Sequence, residues 1–207
     1  MNATVQTGYF FMPEHIILVG ASERPHSLGE RIFSHLLGSS YQGKITPVNL
    51  RHSSVAGLPS YSSLSKIPGQ ADLVVAVIPH DHYDTLFKAC RKKGLRHIIL
   101  IQDWENLPPE SCKNARSIIQ KYHGDELNIS VCNSAGVQLP SLNLNIGTQA
   151  DYPAGHIALL TGHSTVSRNI NHLLNTMHQG VSRHISLNYN LSPTTSADWL
   201  NRFGHNR

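Results

Sequence analysis

Ile16-Ile-Leu-Val-Gly-Ala-Ser-Glu-Arg-Pro-His-Ser-Leu-Gly29 decides how the rest of the chain is read. An apolar run, Ile16 to Val19, meets Gly20 directly. A small-residue loop follows, and Leu28, Ile32 and Leu36 then recur at helical spacing. Apolar strand, glycine loop and helix start make the first βα unit of a doubly wound parallel sheet. Such a unit presents backbone N–H groups and the positive end of a helix to a ligand's phosphates. Gly20 has no Cβ and so lets a ligand approach the main chain. Ser22 or Ser27 can cap the helix that follows. The spacing is neither G-x-G-x-x-G nor the Gly-Lys-Ser/Thr of a Walker loop, and an ordinary strand-to-helix turn is the plain alternative.

Working outward, Phe10-Phe-Met-Pro13 leads into this strand and is expected to pack beneath the sheet. The first helix should run over 27–37 and stop at Gly38. A second strand is read over 44–49, confined to an edge or kept short because Pro47 lacks an N–H. Residues 57–64 are a turn-rich connection. Residues 72–79 are continuously apolar and β-branched, as in a parallel strand buried on both faces. Tyr83, Leu86, Phe87 and Cys90 define a helix stopped by Gly94. A strand over 97–101 follows. Pro108-Pro109 then opens a helix that faces Ala115, Ile118, Ile119 and Tyr122 to the core. A short fifth strand is expected at 130–132. Strict alternation of strand and helix predicts a parallel sheet.

The composition shifts after Asn133, and 140–153 reads as a polar connector. Alternation resumes with a strand over 156–161 and a helix carrying a core stripe of Val166, Ile170, Leu173, Leu174 and Met177 up to Gly180. A strand over 183–188 and a helix capped by Ser196 complete the chain. These two βα units are too few to cover both faces of a sheet of their own. They extend the first sheet, pair with another chain, or begin a truncated further domain. The expected division is 1–140 and 141–207.

The 207 residues suit one domain, or one and a fraction, able to bury a core without metals or disulfides. With 14% charged and 40% apolar residues, the composition is that of a folded globular chain. The net charge of +4 suits an anionic ligand, and equally a plain soluble protein. The longest basic run, Arg91-Lys-Lys93, reads as a solvated helix end, so no nucleic-acid partner is expected. Cys90, Cys112 and Cys132 are scattered and odd in number, the pattern of reduced thiols in a cytoplasmic protein. No signal peptide or membrane span is expected.

The end of the second strand speaks to the ligand. An NAD site places an acid there for the ribose hydroxyls. Here the residues are Asn49-Leu-Arg51-His52. A guanidinium in place of a carboxylate favours a nucleotide with an extra ribose phosphate, which Arg can clamp bidentately. NADP and coenzyme A (CoA) both meet that description; a solvated loop is the alternative.

Further pieces make a family resemblance. They are Phe11-Met-Pro13, Val19-Gly-Ala-Ser22, Arg24-Pro25, Ser27, Gly29, Tyr41-Gln-Gly43, Pro47-Val-Asn49, Val55-Ala-Gly-Leu-Pro59, Tyr61, Ser63-Leu64, Ile67-Pro68, Asp72-Leu73 and Ile78-Pro79. In order and spacing, dense over residues 10–100, the chain resembles the CoA-binding domain of the nucleoside-diphosphate-forming acyl-CoA synthetases. These are the acetate–CoA ligases related to the succinyl-CoA synthetase α subunit, including those fused to protein acetyltransferases. The resemblance implies a Rossmann-like CoA-binding domain followed by the start of a flavodoxin-like α/β unit. It also implies that Gly20, Ala21, Ser22, Arg24, Pro25, His26, Ser27, Leu28 and Gly29 cradle the CoA phosphates. Pro25, His26, Ser27 and Leu28 occupy the family's main contact stretch. Asn49 and Arg51 belong to the same site, with Arg51 standing where the family usually has a phosphate-binding Lys. Ile78, Pro79 and His80 line the wall beside the nucleotide or pantetheine. The implied partner is an ATP-grasp or acetyltransferase chain, or a second copy of this one.

The departures are specific. The family's Gly-Pro-Asn-Ser-x-Gly is here Val131-Cys-Asn-Ser-Ala-Gly136, and its Ser-Gln-Ser-Gly is Thr161-Gly-His-Ser164. The family's phosphorylated histidine and ATP-grasp module lie outside these 207 residues, so the chain alone is not expected to ligate. An NADP-using enzyme or redox sensor, and an interaction protein that has lost its ligand, are the alternatives. Among the 14 histidines, His80-Asp-His82 with Asp84 is the tightest cluster. It lacks a third ligand at metal-like spacing and is read as a solvated or CoA-lining loop. His163-Ser164 is a poor nucleophile–base pair because neighbours rarely face each other. Cys132 is read as a buried structural thiol.

Overall fold

The computed structural model of the protein describes residues 10–124 and 126–205. In chain order its elements are β1 (His15–Val19), α1 (Leu28–Gly38), β2 (Lys44–Val48), β3 (Ser54–Val55), β4 (Leu58–Pro59) and β5 (Leu73–Ala76). Next come α2 (Tyr83–Lys93), β6 (His97–Ile101), α3 (Pro109–Tyr122), β7 (Asn128–Leu139), β8 (Leu144–Ile146) and β9 (Ala154–Thr161). The last three are α4 (Ser164–Thr176), β10 (Val181–Leu187) and α5 (Ser196–His205). β3 and β4 form a small hairpin, and the other eight strands form one sheet ordered β2-β1-β5-β6-β7-β10-β9, with β8 on β7. Pro47 sits on the edge strand β2, as its missing donor requires.

Strand alternation builds three layers. Ile16, Leu18, Val75, Ile99 and Ile101 pack with Ile32, Phe33 and Leu36 of α1 on one face. Ile17, Val74, Ala76, Ile98 and Leu100 pack with Tyr83, Phe87 and Cys90 of α2 and Ile119 of α3 on the other. Both faces are dry, which is why the strand sequences are continuously apolar rather than alternating. Phe10 and Phe11 join the α1 layer, where Trp199 of α5 meets Phe10 edge-on at 4.5 Å, while Met12 points to solvent.

The predicted short strand at 130–132 is instead the first part of the 12-residue β7. Its first half pairs with β6 in parallel, ending at Ile101↔Cys132. Its second half pairs antiparallel with β8 and β10. β9 is parallel to β10, so the sheet is mainly parallel with an antiparallel junction, and the last two strands extend the first sheet. The expected polar connector hides β8, whose Leu144, Asn145 and Ile146 are all buried. The Asn145 amide donates to the Gln149 carbonyl (2.9 Å) and to Asp151 (2.7 Å), which lets an Asn-rich stretch go inside.

α4 departs most from the sequence expectation. Of its predicted core stripe, Val166, Leu173 and Met177 are 46%, 55% and 57% exposed. The buried face is Ser167, Asn171 and Leu174. A polar network holds it inward: Ser167 Oγ lies 2.6 Å from Thr161 Oγ1, and Asn171 donates to the Ala150 carbonyl at 2.8 Å. Tyr152 OH donates to the Ser167 carbonyl at 2.7 Å. The cap of α5 is Thr195, not Ser196: Thr195 N donates to Asp198 Oδ2, and Asp198 N donates to Thr195 Oγ1, a capping box.

The same network holds His184, fully buried, with Nε2 3.1 Å from Thr161 Oγ1 and 3.3 Å from Ser167 Oγ. Burial pushes its pKa from 6.5 down to about 3. Between those values the unfolded state binds the proton and the folded state does not. Stability is therefore present above the unfolded value and falls with pH through this window, by roughly 1 kcal/mol per pH unit. Burial lowers His15, His97 and His123 in the same sense. Urea unfolding between about pH 7 and pH 4 should show this slope, and His184→Gln should flatten it; an unchanged slope would place its origin elsewhere.

Candidate functional site

The carboxyl ends of β1, β2 and β5 meet at the Gly20 loop. Gly20 N donates to the Val48 carbonyl at 3.1 Å, and Val77 N donates to the Val19 carbonyl at 2.8 Å. Gly20 has φ +93°, and a Cβ there would lie 2.3 Å from the Val77 carbonyl oxygen. The side of the chain where a Cβ would lie is thus filled by protein, and the glycine is needed there for packing. The Gly29 position is equally tight, 2.2 Å from the Gly20 carbonyl oxygen, so α1 starts directly on the loop.

Ser27, rather than Ser22, caps α1, its hydroxyl accepting from Glu30 N at 3.2 Å. Ser22 instead turns the loop by accepting from Arg24 N at 3.0 Å. The amides of Leu28 and Gly29 stand at a helix start, where no intrahelical acceptor exists. Arg24, Pro25 and His26 are exposed, Ser27 and Leu28 half-buried, and Ala21 buried. His26 adopts a left-handed φ of 64°, which bends the tip of the loop.

Asn49 ties this loop to the end of β2. Its Nδ2 donates to the Ala21 carbonyl at 2.8 Å, while its Oδ1 accepts from Arg51 N (2.8 Å) and His52 N (3.1 Å). One side chain therefore fixes both the glycine loop and the turn that carries Arg51. Arg51 is exposed and forms no ion pair or side-chain hydrogen bond among the described residues. Glu23, which sequence reasoning missed, binds the neighbouring hairpin through Ala56 N at 2.9 Å. Nothing in its sequence context distinguishes it from a solvated loop acid. Ile78 packs beside the loop, its Cγ2 3.0 Å from where a Cβ at Gly20 would lie. Pro79 is exposed, and His80 begins a 3₁₀ turn with Nε2 3.2 Å from Asp81 Oδ1. Asp84 is drawn away from the histidines by Lys88, Lys121 and Tyr122. Among the described residues no group of three or more His, Cys, Asp or Glu is arranged to hold a metal, and no helix is long and apolar enough to cross a membrane.

Two clefts lie elsewhere, and neither contains any of the predicted site residues. The first, about 520 Å³, opens where β6, the first half of β7, β9 and β10 end together, with Glu105, Lys113, Arg116 and His163 on its walls. The two departed motifs meet beside it. Ser134 Oγ lies 3.0 Å from Ser164 Oγ, which also accepts from Ala135 N at 3.2 Å, and Asn133 donates to the Gly162 carbonyl at 2.8 Å. Glu105 Oε1 contacts both His163 Nδ1 (3.3 Å) and Ser164 N (3.4 Å). Ser164 is thus engaged by Ser134 and Ala135, and His163 by Glu105. Cys132 is fully buried, its thiol pushed up to about 12 by burial.

The family model for a CoA binding domain matches residues 14–138. The chain belongs to this CoA-binding domain family. It is 28% identical over 194 residues to the α subunit of acetate–CoA ligase (ADP-forming) II of Pyrococcus furiosus, covering 93% of this chain and 42% of that protein. It is 23% identical over 198 residues to the ADP-forming acetate–CoA ligase of Methanocaldococcus jannaschii, covering 94% and 27%. A crystal structure from Pyrococcus horikoshii superposes with a TM-score of 0.79 at 26% identity, over 93% of this chain and 44% of that one. The dinucleotide-forming acetyl-coenzyme A synthetase 1 of Ca. Korarchaeum cryptofilum, solved with phosphate and ADP, has the same fold (TM-score 0.80, 21% identity, 95% and 42% coverage). The chain therefore spans less than half the length of these relatives.

Asn49→Ala should remove the tie between loop and turn and lower stability by about 0.5–1.5 kcal/mol, the net worth of an intramolecular hydrogen bond, since the Arg51 and His52 amides are exposed and turn to water. Denaturant unfolding measures it. A loss below about 0.5 kcal/mol would mean that the loop holds its shape without Asn49.

Proposed function

We propose that the Gly20 loop binds CoA or an acyl-CoA, as the CoA-binding part of an NDP-forming acyl-CoA synthetase or acetyltransferase-type system. The observation that carries this reading is Arg51. It is an exposed, unpaired guanidinium held beside the carboxyl ends of β1, β2 and β5 by Asn49, in a chain of the CoA-binding domain family. Ligands of open α/β sheets bind in that position.

In this reading Arg51 meets the ribose 3′-phosphate. The start of α1, with Arg24, Pro25, His26, Ser27 and Leu28, meets the pyrophosphate through free amides and the positive helix end. Gly20, Ala21, Ser22 and Gly29 shape the loop, Asn49 orients it, and Ile78, Pro79 and His80 form the wall beside nucleotide or pantetheine. Residues 1–140 are the CoA-binding domain, and 141–207 are part of a succinyl-CoA synthetase-like unit. The protein works with an ATP-grasp or acetyltransferase partner, or as a homo-oligomer, in the cytoplasm. The chain's own residues bind and orient; bound CoA supplies the thiol that accepts an acyl group.

Calorimetric titration with CoA and dephospho-CoA tests this. Arg51→Ala should weaken CoA binding by about 1.5–3 kcal/mol, the range for hydrogen bonds to a charged group, and dephospho-CoA binding much less. Equal losses for both ligands would remove Arg51 from the 3′-phosphate, and preference for NADPH over CoA would overturn the reading.

A further inference from the structure

β9 stands at one margin of the sheet and, among the described residues, pairs with β10 alone. Its sequence is that of an interior strand. His156-Ile-Ala-Leu-Leu-Thr161 is of the same type as His97-Ile-Ile-Leu-Ile101 of β6, and β6 is buried throughout. Of the eight residues of β9 only Thr161 is buried. Continuously apolar strands belong where both faces are covered and both edges are paired. The opposite margin of the sheet is built as an edge. β2 carries Lys44 and Pro47, and its outer side is already bonded: Tyr61 N donates to the Pro47 carbonyl (3.1 Å) and Asn49 N to the Tyr61 carbonyl (3.0 Å). β9 has no proline and no Asp, Glu, Lys or Arg, the devices that keep an open edge from pairing.

The open backbone of β9 and the exposed stripe of α4 lie on the same side. Ile157 N donates to the Gly180 carbonyl at 3.2 Å and so faces β10; by strand alternation the N–H groups of His156, Ala158 and Leu160 face outward. Leu159 of β9 and Ile170 of α4 pack on one cluster, Tyr152, Leu174 and Val181. Asn171 donates to the Ala150 carbonyl, which Gln138 of β7 also bonds. That flank of α4, with Arg168 and His172 in the second cleft, therefore faces the interior of the sheet. At helical spacing Val166, Leu173 and Met177 fall on the other flank, above the open edge, and all three are exposed.

We propose that β9 and α4 form an interface with a second copy of this chain, two β9 strands pairing antiparallel into one continuous sheet. A twofold axis normal to the sheet produces this pairing and keeps both α4 helices on one face, where the two stripes meet. One operation thus bonds the open backbone and covers the apolar flank. A bare extended peptide would pair the strand and leave the stripe in water. Neither β9 nor the stripe carries a charge, so two copies meet there without like-charge repulsion. The surface includes no residue of the Gly20 loop and stands whether or not CoA binds.

Sedimentation velocity on the full chain at about 5 and 50 μM reads the assembly. The wild type should sediment as a dimer, and the amides of His156, Ala158 and Leu160 should exchange hydrogen slowly in it and faster on dilution. Leu173→Glu, at an exposed position of α4, brings two carboxylates to the helix contact and should weaken the dimer at least about tenfold without changing the circular dichroism. Ala158→Pro removes an outward donor, leaves Ile157 bonded to Gly180, and should weaken the dimer in the same way. If Ala158→Pro fails to fold, Leu173→Glu decides alone. A dimer indifferent to Leu173→Glu would place the contact elsewhere and overturn the proposal. A monomer with fast-exchanging β9 amides at the higher concentration would also overturn it, leaving the edge to a different chain.

Discussion

At residue 20 a Cβ would press on the Val77 carbonyl, and at residue 29 a Cβ would press on the carbonyl of Gly20. These two contacts set the distance between β1, β5 and the first turn of α1. Because backbone meets backbone at both points, no side-chain rearrangement relieves a substitution there. The start of α1 is therefore brought against the carboxyl ends of the central strands, and the rest of the candidate site is hung on it. Ser27 closes the helix end, Asn49 stitches the loop to β2, and the turn after β2 carries an unpaired arginine outward. The glycines matter by what they exclude inside the protein.

β7 is the second organising element. Its first half completes the parallel sheet, and its second half starts an antiparallel junction that carries β10 and β9. Strand ends from both parts then face one cleft, where Asn133 donates to the Gly162 carbonyl and, beside it, the Ser134 and Ser164 hydroxyls meet. In that arrangement the two motifs that depart from the family pattern form one hydrogen-bonded seam, with the Glu105 carboxylate beside the first amide of α4. A carboxylate at a helix start is electrostatically favourable and offsets the absence of a side-chain cap on α4.

The described residues from Phe10 to Ser130 were legible because their signals are local. Buried parallel strands are runs of Ile, Val and Leu, and Pro47, Gly94 and Pro109 mark an edge, a stop and a start in the places the sequence indicates. The last third was less so. β8 is three residues long and owes its burial to Asn145, whose partners Gln149 and Asp151 no periodicity reveals. On α4 the buried face keeps Leu174 and half-buried Ile170 of the apolar stripe but turns Val166, Leu173 and Met177 to solvent, because Ser167 and Asn171 find buried partners in Thr161 and Ala150. Hydrophobic patterning assumes that polar residues face water and fails where a network satisfies them inside. In the site, Gly20, Ser27, Asn49 and Arg51 could be named from type and position. Glu23 could not, since its role depends on the amide of Ala56, brought near only by the fold.

Backbone amide shifts followed by NMR during a CoA titration locate the ligand on the fold. The largest changes should fall on residues 20–29, on Asn49 to His52 and on Ile78 to His80, saturating together. Changes centred on Glu105, Lys113 and His163, or no changes at all, would contradict this placement.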